Sequence, residues 1–159
     1  MNAMSTFHIR KAIASDIPAI HDLVRELAIY EHSESAFTAT LEDYTRDFEA
    51  GLFEVLLAEQ DGLVIGMAFY YMTYSTWKGR MLWLEDFVVK EAFRRTGAGR
   101  LLFEAFLAEA RQRSCRLAKW QVLDWNEPAL NFYRRHNAII ETNWWNGKLF
   151  LEDFAPTDI

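Results

Sequence analysis

The run FEVLLAEQDGLVIGMAFYYMTYSTWKGRMLWLEDFVV, residues 53–89, constrains the fold more than any other stretch of this chain. Apolar and aromatic residues with a strong preference for strands fill it, and only Asp61-Gly62 and Lys78-Gly79-Arg80 interrupt it. An Asp-Gly pair between two such runs is a tight hairpin turn, because the turn needs left-handed backbone that these residues adopt readily. The segment therefore predicts three consecutive antiparallel strands.

Other elements follow from periodicity and capping. Residues 6–11 alternate as a first strand. Ser15 reads as an N-cap, with Asp16 and Pro18 in the first turn of a helix running to about Tyr30. Its apolar face is Ile17, Ile20, Leu23, Val24, Leu27 and Ala28. Residues 31–39 read as a loop, and Thr40 with Asp43 forms a capping box for a short helix to about Ala50. Beyond Val89 the pattern predicts a helix over 97–113, a strand around 118–124 and a helix over 127–136. Two last strands are expected near 138–142 and 147–153. The order β-α-α-β-β-β-α-β-α-β-β predicts an α/β (α+β) fold with a mixed, mostly antiparallel sheet and helices on both faces. A single domain over 1–159 is expected, since no linker-like stretch or repeat occurs.

Composition narrows the function. With 51% hydrophobic and 25% charged residues, the chain has the makings of a compact fold and not of a disordered one. A net charge of -6 makes nucleic acid and anionic membrane surfaces poor partners and cationic ligands good ones. Its one cysteine, Cys115, allows no internal disulfide and reads as a packing residue. No apolar run approaches 18 residues, and MNAMSTFHIRK lacks the apolar centre of a signal peptide, so a cytoplasmic location is expected. Met4 reads either as an alternative start or as the mark of an added Met1-Asn2-Ala3, and the sequence does not decide between them. His8, His21, His32 and His136 are scattered, without ligand spacing, so no metal site is expected. No GxSxG elbow points to serine hydrolysis.

The joint LEDFVVKEAFRRTGAGRLLFEAF, residues 84–106, carries the chemistry. A strand gives way to Arg94, Arg95, Gly97 and Gly99, and then to an amphipathic helix. A helix N-terminus presents unpaired N–H groups and the positive end of the helix dipole. Glycines let the backbone come close to a phosphate, and Arg94, Arg95 and Arg100 add positive charge over the same spot. The joint thus reads as a pyrophosphate cradle at the end of a central strand, where ligands bind in mixed sheets. It matches neither GxxxxGK[ST] nor GxGxxG, so neither a P-loop nor a dinucleotide site is expected.

Arg94-x-x-Gly97-x-Gly99, together with the run WNEPALNFYRRHNA at 125–138, resembles the GNAT acetyltransferase superfamily. More narrowly, ELAIYEH (26–32), FYYMTYSTWKGR (69–80), LEDFVV (84–89) and that run resemble its diamine (spermidine/spermine) and thialysine N-acetyltransferases. The likeness spans nearly the whole chain and is densest over 82–138. It implies direct acetyl transfer from acetyl-CoA, a cosubstrate, to the primary amine of a small cation, without a metal, by a homodimer. It also implies that Phe87, Val88 and Val89 offer backbone groups to the pantetheine arm. Arg94, Arg95, Thr96, Gly97, Ala98, Gly99 and Arg100 would take the pyrophosphate. Asn126, Glu127, Pro128 and Ala129 would lie beside the cofactor, where Tyr133 is the general acid for the departing thiolate. A phenol near 10 is close to an alkyl thiol in acidity, so that proton transfer is nearly balanced.

On the amine side the resemblance implies Glu85 as base, with Asp86 serving the substrate site or the structure. Strand alternation predicts that these two point to opposite faces. Glu31 and His32 match the substrate-contacting position after the first helix, and His32 departs from the aromatic residue usual there. His136-Asn137 replaces arginine-glycine, and Asn tolerates the left-handed turn. Trp120, Gln121, Trp144 and Trp145 line an amine channel or simply pack. Acetylation of protein lysines or N-termini, and a non-catalytic acyl-CoA sensor, remain the competing readings.

Overall fold

The computed structural model describes residues 6–153. By its internal contacts the chain divides after Gln121 into two compact units. The first holds five strands: β1 (His8–Lys11), β2 (Glu54–Gln60), β3 (Leu63–Ser75), β4 (Gly79–Val89) and β5 (Leu117–Trp120). They lie side by side in chain order. The first four are antiparallel to their neighbours, and β5 runs parallel to β4. The β2–β3 turn has Asp61 at φ 50° and Gly62 at φ 76°, the left-handed pair that an Asp-Gly hairpin requires.

Side-chain alternation gives the sheet two greasy faces. On one, Val55, Leu57, Met67, Phe69 and Val88 pack with Ile17, Ile20 and Leu23 of α1 (Ile17–Tyr30). Tyr44 and Phe48 of α2 (Leu41–Glu49) pack against the same cluster. On the other, Tyr70 meets Phe106 and Phe87 meets Phe103, both from α3 (Ala98–Gln112). Helices therefore cover both faces of a mostly antiparallel sheet, as the sequence predicts. Each fully buried Leu or Ile in these layers contributes roughly 1.5–3 kcal/mol. Gly66 is needed for the close approach of β3 to β4: a Cβ there would stand 2.8 Å from the Val88 carbonyl oxygen.

Capping departs from expectation at one helix and agrees at the other. A short turn over Ala14–Asp16 precedes α1, whose N-cap is Asp16 and not Ser15. The Asp16 carboxylate accepts the Ile13 N–H at 2.8 Å and two bonds from the Arg10 guanidinium, so it ties β1 to the helix start. At α2 the box forms in full, with Asp43 N donating to Thr40 Oγ1 and Thr40 N to Asp43 Oδ2. Arg113, just past α3, clamps Glu54 of β2 and Glu109 of its own helix.

The second unit contains α4 (Glu127–Arg135), N-capped by Asn126, whose side chain accepts the Ala129 N–H. Asn137 closes the helix at φ 61°, the left-handed turn expected of it. Three strand expectations fail here. β5 stops at Trp120 instead of reaching residue 124, and neither 138–142 nor 147–153 is a strand; Leu151–Asp153 is a single short turn of helix. A strand needs a ladder partner for its N–H and C=O groups, which composition alone does not supply. Ile139, Trp144, Trp145 and Phe150 are exposed.

Candidate active site

The β4 strand does two unusual things within five residues. Its pairing with β5 covers only Met81–Leu84, so from Glu85 to Val89 it runs beyond the end of that neighbour. On its other side the ladder slips. Tyr70 faces Leu84 and Phe69 faces Asp86, which leaves Glu85 as an extra, bulged residue. The bulge corrects the expectation that Glu85 and Asp86 point to opposite faces. Asp86 stands opposite Phe69, on the α1 face, and Glu85 accepts hydrogen bonds from Tyr71 and Trp83 on that same face. Phe87 then turns to the α3 core, 5.8 Å from Phe103. A regular strand would have driven Asp86 into that core, at the cost of a buried, unpaired charge.

Both carboxylates line one cavity of about 470 Å³. Its walls are Val24 of α1, Asp43, Tyr44 and Asp47 of α2, Leu52 and Phe53 before β2, and Phe69 and Tyr71 of β3. Among the described residues none that lines it is cationic, and Arg46 pairs with the Asp43 and Asp47 carboxylates. The Tyr71 hydroxyl and Trp83 Nε1 both donate to Glu85 Oε2 at 2.8 Å, which fixes that carboxylate in place. Among the described residues no such donor bonds Asp86. Burial, and after it the charges of Glu85 and Glu31, push its carboxyl up to about 7. Burial, then Asp86 and Glu85, push the Tyr44 phenol up to about 12. The Tyr71 phenol is raised by burial and by its bond to Glu85. Glu31, at the C-cap of α1, is raised by burial, and His32 follows it in left-handed backbone at φ 57°. The structure thus gathers Glu31, Glu85 and Asp86 into one electrostatic neighbourhood, with His32 beside it.

At the strand-to-helix joint, Lys90 N donates to the Ile65 carbonyl, and a short turn over Glu91–Phe93 follows. Arg94 is engaged with the protein: its Nε donates to Val89 O at 3.1 Å and its guanidinium lies over the Tyr30 ring. Arg95 and Thr96 are exposed, and Arg95 adopts left-handed backbone at φ 61°. Gly97 caps α3 at φ 94°, with nothing within 4 Å of where a Cβ would stand. Gly99 stands in the first turn of α3, next after the buried Ala98. Arg100 is exposed and reaches Glu104 at 3.9 Å. Exposed cations, an open-faced glycine and the start of a 15-residue helix fit a pyrophosphate, and the stretch of β4 beyond its pairing with β5 fits an extended amide-bearing arm.

Asn126, Glu127, Pro128 and Ala129 form the cap and first turn of α4, and Tyr133 is buried on that helix beside Phe132. Trp120 packs edge-on against Phe103, whereas Trp144 and Trp145 are exposed. Sequence reasoning missed Tyr44, Tyr71 and Trp83. Trp83 was detectable, since it lies two residues before Glu85 and so on the same side of the strand. Tyr44 and Tyr71 come from distant elements and carry no local signal. Among the described residues no group of three metal-ligating side chains is gathered, and no helix is long and apolar enough to cross a membrane.

Comparison with known proteins points the same way. The model of the acetyltransferase (GNAT) family matches residues 17–138. The chain is 34% identical over 155 residues to the thialysine N-epsilon-acetyltransferase of Bos taurus, covering 90% of this chain and 91% of that protein. It is 34% identical over 146 residues to the spermidine/spermine N(1)-acetyltransferase-like protein 1 of Homo sapiens. That match covers 86% of this chain but spans only 21% of the human protein's length. Among solved structures, an aminoglycoside N-acetyltransferase in complex with CoA superposes with a TM-score of 0.75 at 17% identity. The superposition covers 93% of this chain and 98% of that one, a likeness of fold.

Proposed function

The chain belongs to the GNAT family of acetyltransferases, and from that premise we propose that its acceptor is the primary amine of a small cation: a polyamine, a diamine or a thialysine-like amine. The observation that carries this reading is the pair Glu85 and Asp86 on one aromatic-walled cavity that, among the described residues, no cation lines. Such a cavity attracts an ammonium group through Coulomb and cation–π terms, and it repels anionic acceptors. The names of the relatives agree with an amine of this size.

Acetyl-CoA, when bound, supplies an activated acetyl group as a thioester. The backbone of Phe87 to Val89 would hold the pantetheine arm along the part of β4 beyond its pairing with β5. The joint from Arg94 to Arg100 would hold the pyrophosphate, with Asn126 to Ala129 beside the cofactor. Tyr133 would protonate the sulfur as the C–S bond breaks. On the amine side Glu85 would act as base and remove the proton that blocks attack, with Asp86 serving the substrate site or the structure. A homodimer in the cytoplasm completes the reading.

The experiment is CoA release from acetyl-CoA with spermidine, spermine, putrescine, thialysine, lysine and a lysine peptide. Turnover on a small amine, at a kcat/KM at least tenfold above that for the peptide, is the expected result. Preference for the peptide would transfer the reading to protein acetylation, and acetyl-CoA binding without any turnover would leave a sensor.

A further inference from the structure

We propose that the opposite end of β4 carries a second binding site, for a free nucleotide: its phosphates are held by Lys78, Arg80 and Arg116, and its base lies on the indole of Trp77. The inference goes beyond the acetyl-transfer reading and stands without it.

Two turns that meet build the site. Ser75 of β3 pairs with Gly79 of β4, so Thr76, Trp77 and Lys78 form a three-residue hairpin loop. Gly79 stands at φ 89°, the left-handed position that such loops reserve for glycine, and Lys78 N donates to Ser75 Oγ at 3.1 Å. Past the end of α3, Ser114 turns the chain in left-handed backbone at φ 58°. Arg116 N then donates to the Arg80 carbonyl at 3.0 Å, just before β5 begins. The turns flank an open cavity of about 470 Å³, lined by Tyr74, Trp77, Lys78, Arg80, Ser114 and Arg116. At roughly 3.3 Å per residue, Arg80 lies about 17 Å along β4 from Glu85 and about 30 Å from Val89. This cavity is therefore separate from the acidic one and from the strand-to-helix joint.

Its charge runs against that of the chain. The whole carries -6, with 17 lysines and arginines against 23 acids. Yet among the described residues no carboxylate lines this cavity, and none forms an ion pair with Lys78, Arg80 or Arg116. Exposed cations elsewhere do find acids, as Arg46 finds Asp47 and Arg100 finds Glu104. Three neighbouring cations repel one another, and an anion between them turns that repulsion into attraction. The carbonyls that end α3 would oppose an anion, but Arg80 offsets them by donating to Arg113 O at 3.1 Å. A guanidinium carries five N–H donors, so others remain for a ligand.

The rings select the kind of anion. Trp77 is 83% exposed and Tyr74 72% exposed, and among the described residues neither ring stacks on another. Inorganic phosphate would engage the cations and leave both rings wet. A nucleotide uses both, since stacking of a base on an aromatic side chain contributes about 1–3 kcal/mol whatever the base. The cavity also has the volume of a small-molecule site.

The test follows the Trp77 indole N–H signal in ¹H–¹⁵N spectra of the whole chain, identified by its loss in Trp77→Phe. The probes are ADP, AMP, adenosine, inorganic phosphate and a glutamate-rich peptide. ADP should shift the signal saturably, more tightly than AMP, and about tenfold more tightly than adenosine or phosphate. Lys78→Gln combined with Arg116→Gln should weaken ADP about tenfold at this signal and leave the urea midpoint unchanged. A shift that survives in the double variant comes from nucleotide bound elsewhere and overturns the proposal. So does the absence of a shift at millimolar ADP, or equal affinity for ADP and phosphate, which marks a plain anion site. Tighter binding of the peptide than of ADP gives the surface to a protein partner. A Trp77 shift driven by protein concentration alone gives it to a second copy of the chain. Either result overturns the nucleotide assignment.

Discussion

Asp86→Asn should make the protein more stable, and only above pH 4. In the folded chain the Asp86 carboxyl titrates at about 7, against 3.8 for the free side chain. The folded state therefore binds this proton more tightly than the unfolded state, and stability contributed by the site is lost as pH rises from about 4 to about 7. The difference, 7 − 3.8 = 3.2, corresponds at 1.36 kcal/mol per unit to about 4 kcal/mol at pH 8, as an upper figure. At pH 4 the same linkage leaves under about 1 kcal/mol. Asn keeps the shape and removes the charge. Whatever its amide costs in packing is the same at every pH, so the pH-dependent part is isolated. Carboxyls held low by arginines, such as Asp16 beside Arg10 and Glu54 beside Arg113, shift stability in the opposite sense at lower pH. They are common to both proteins and cancel in the difference. The assay is urea unfolding of the wild type and the variant at pH 4, 6 and 8. A gap that grows by about 2–4 kcal/mol from pH 4 to 8 is the expected result. A gap that stays constant would refute the account of Asp86 as a carboxyl forced to carry its charge in a poorly solvated, acidic corner.

Three further outcomes are expected. Tyr133→Phe should cut kcat at least tenfold with little change in KM for the amine, and an unchanged kcat would remove Tyr133 from the chemistry. Gly66→Ala should cost about 1–3 kcal/mol or more in urea unfolding, because its Cβ would stand 2.8 Å from the backbone oxygen of Val88, which cannot swing aside. Thr40→Ala should cost about 1 kcal/mol, as one half of the reciprocal cap of α2 is lost; no change in the midpoint would mean that the cap is dispensable.

Elements whose stability is local were legible in the sequence. The Asp61-Gly62 turn, the Thr40–Asp43 box and the apolar stripe of α1 appear where their patterns place them. Elements that depend on a partner were not. The segments 138–142 and 147–153 have the composition of strands, but a ladder requires a second edge at the right place, and composition cannot report one. Glu31, Glu85 and Asp86 were legible as a charged set, while their arrangement was misread. The clue was present: Leu82 and Leu84 are spaced by two, and the next residue on their face, Phe87, comes three later. A strand whose apolar spacing lengthens by one contains an extra residue, and that residue lies next to the carboxylates.

The bulge also means that the acidity of the cavity is a matter of counting. Deleting either residue 85 or residue 86 would restore strict alternation along β4. Leu82, Leu84, Phe87 and Val88 would keep their faces and their neighbours, so the two hydrophobic layers would hardly register the loss. β4 would then give the cavity one carboxylate where it now gives two. A single codon gained or lost is therefore enough to change how many positive charges this fold prefers in its acceptor, with the core left to carry on as before.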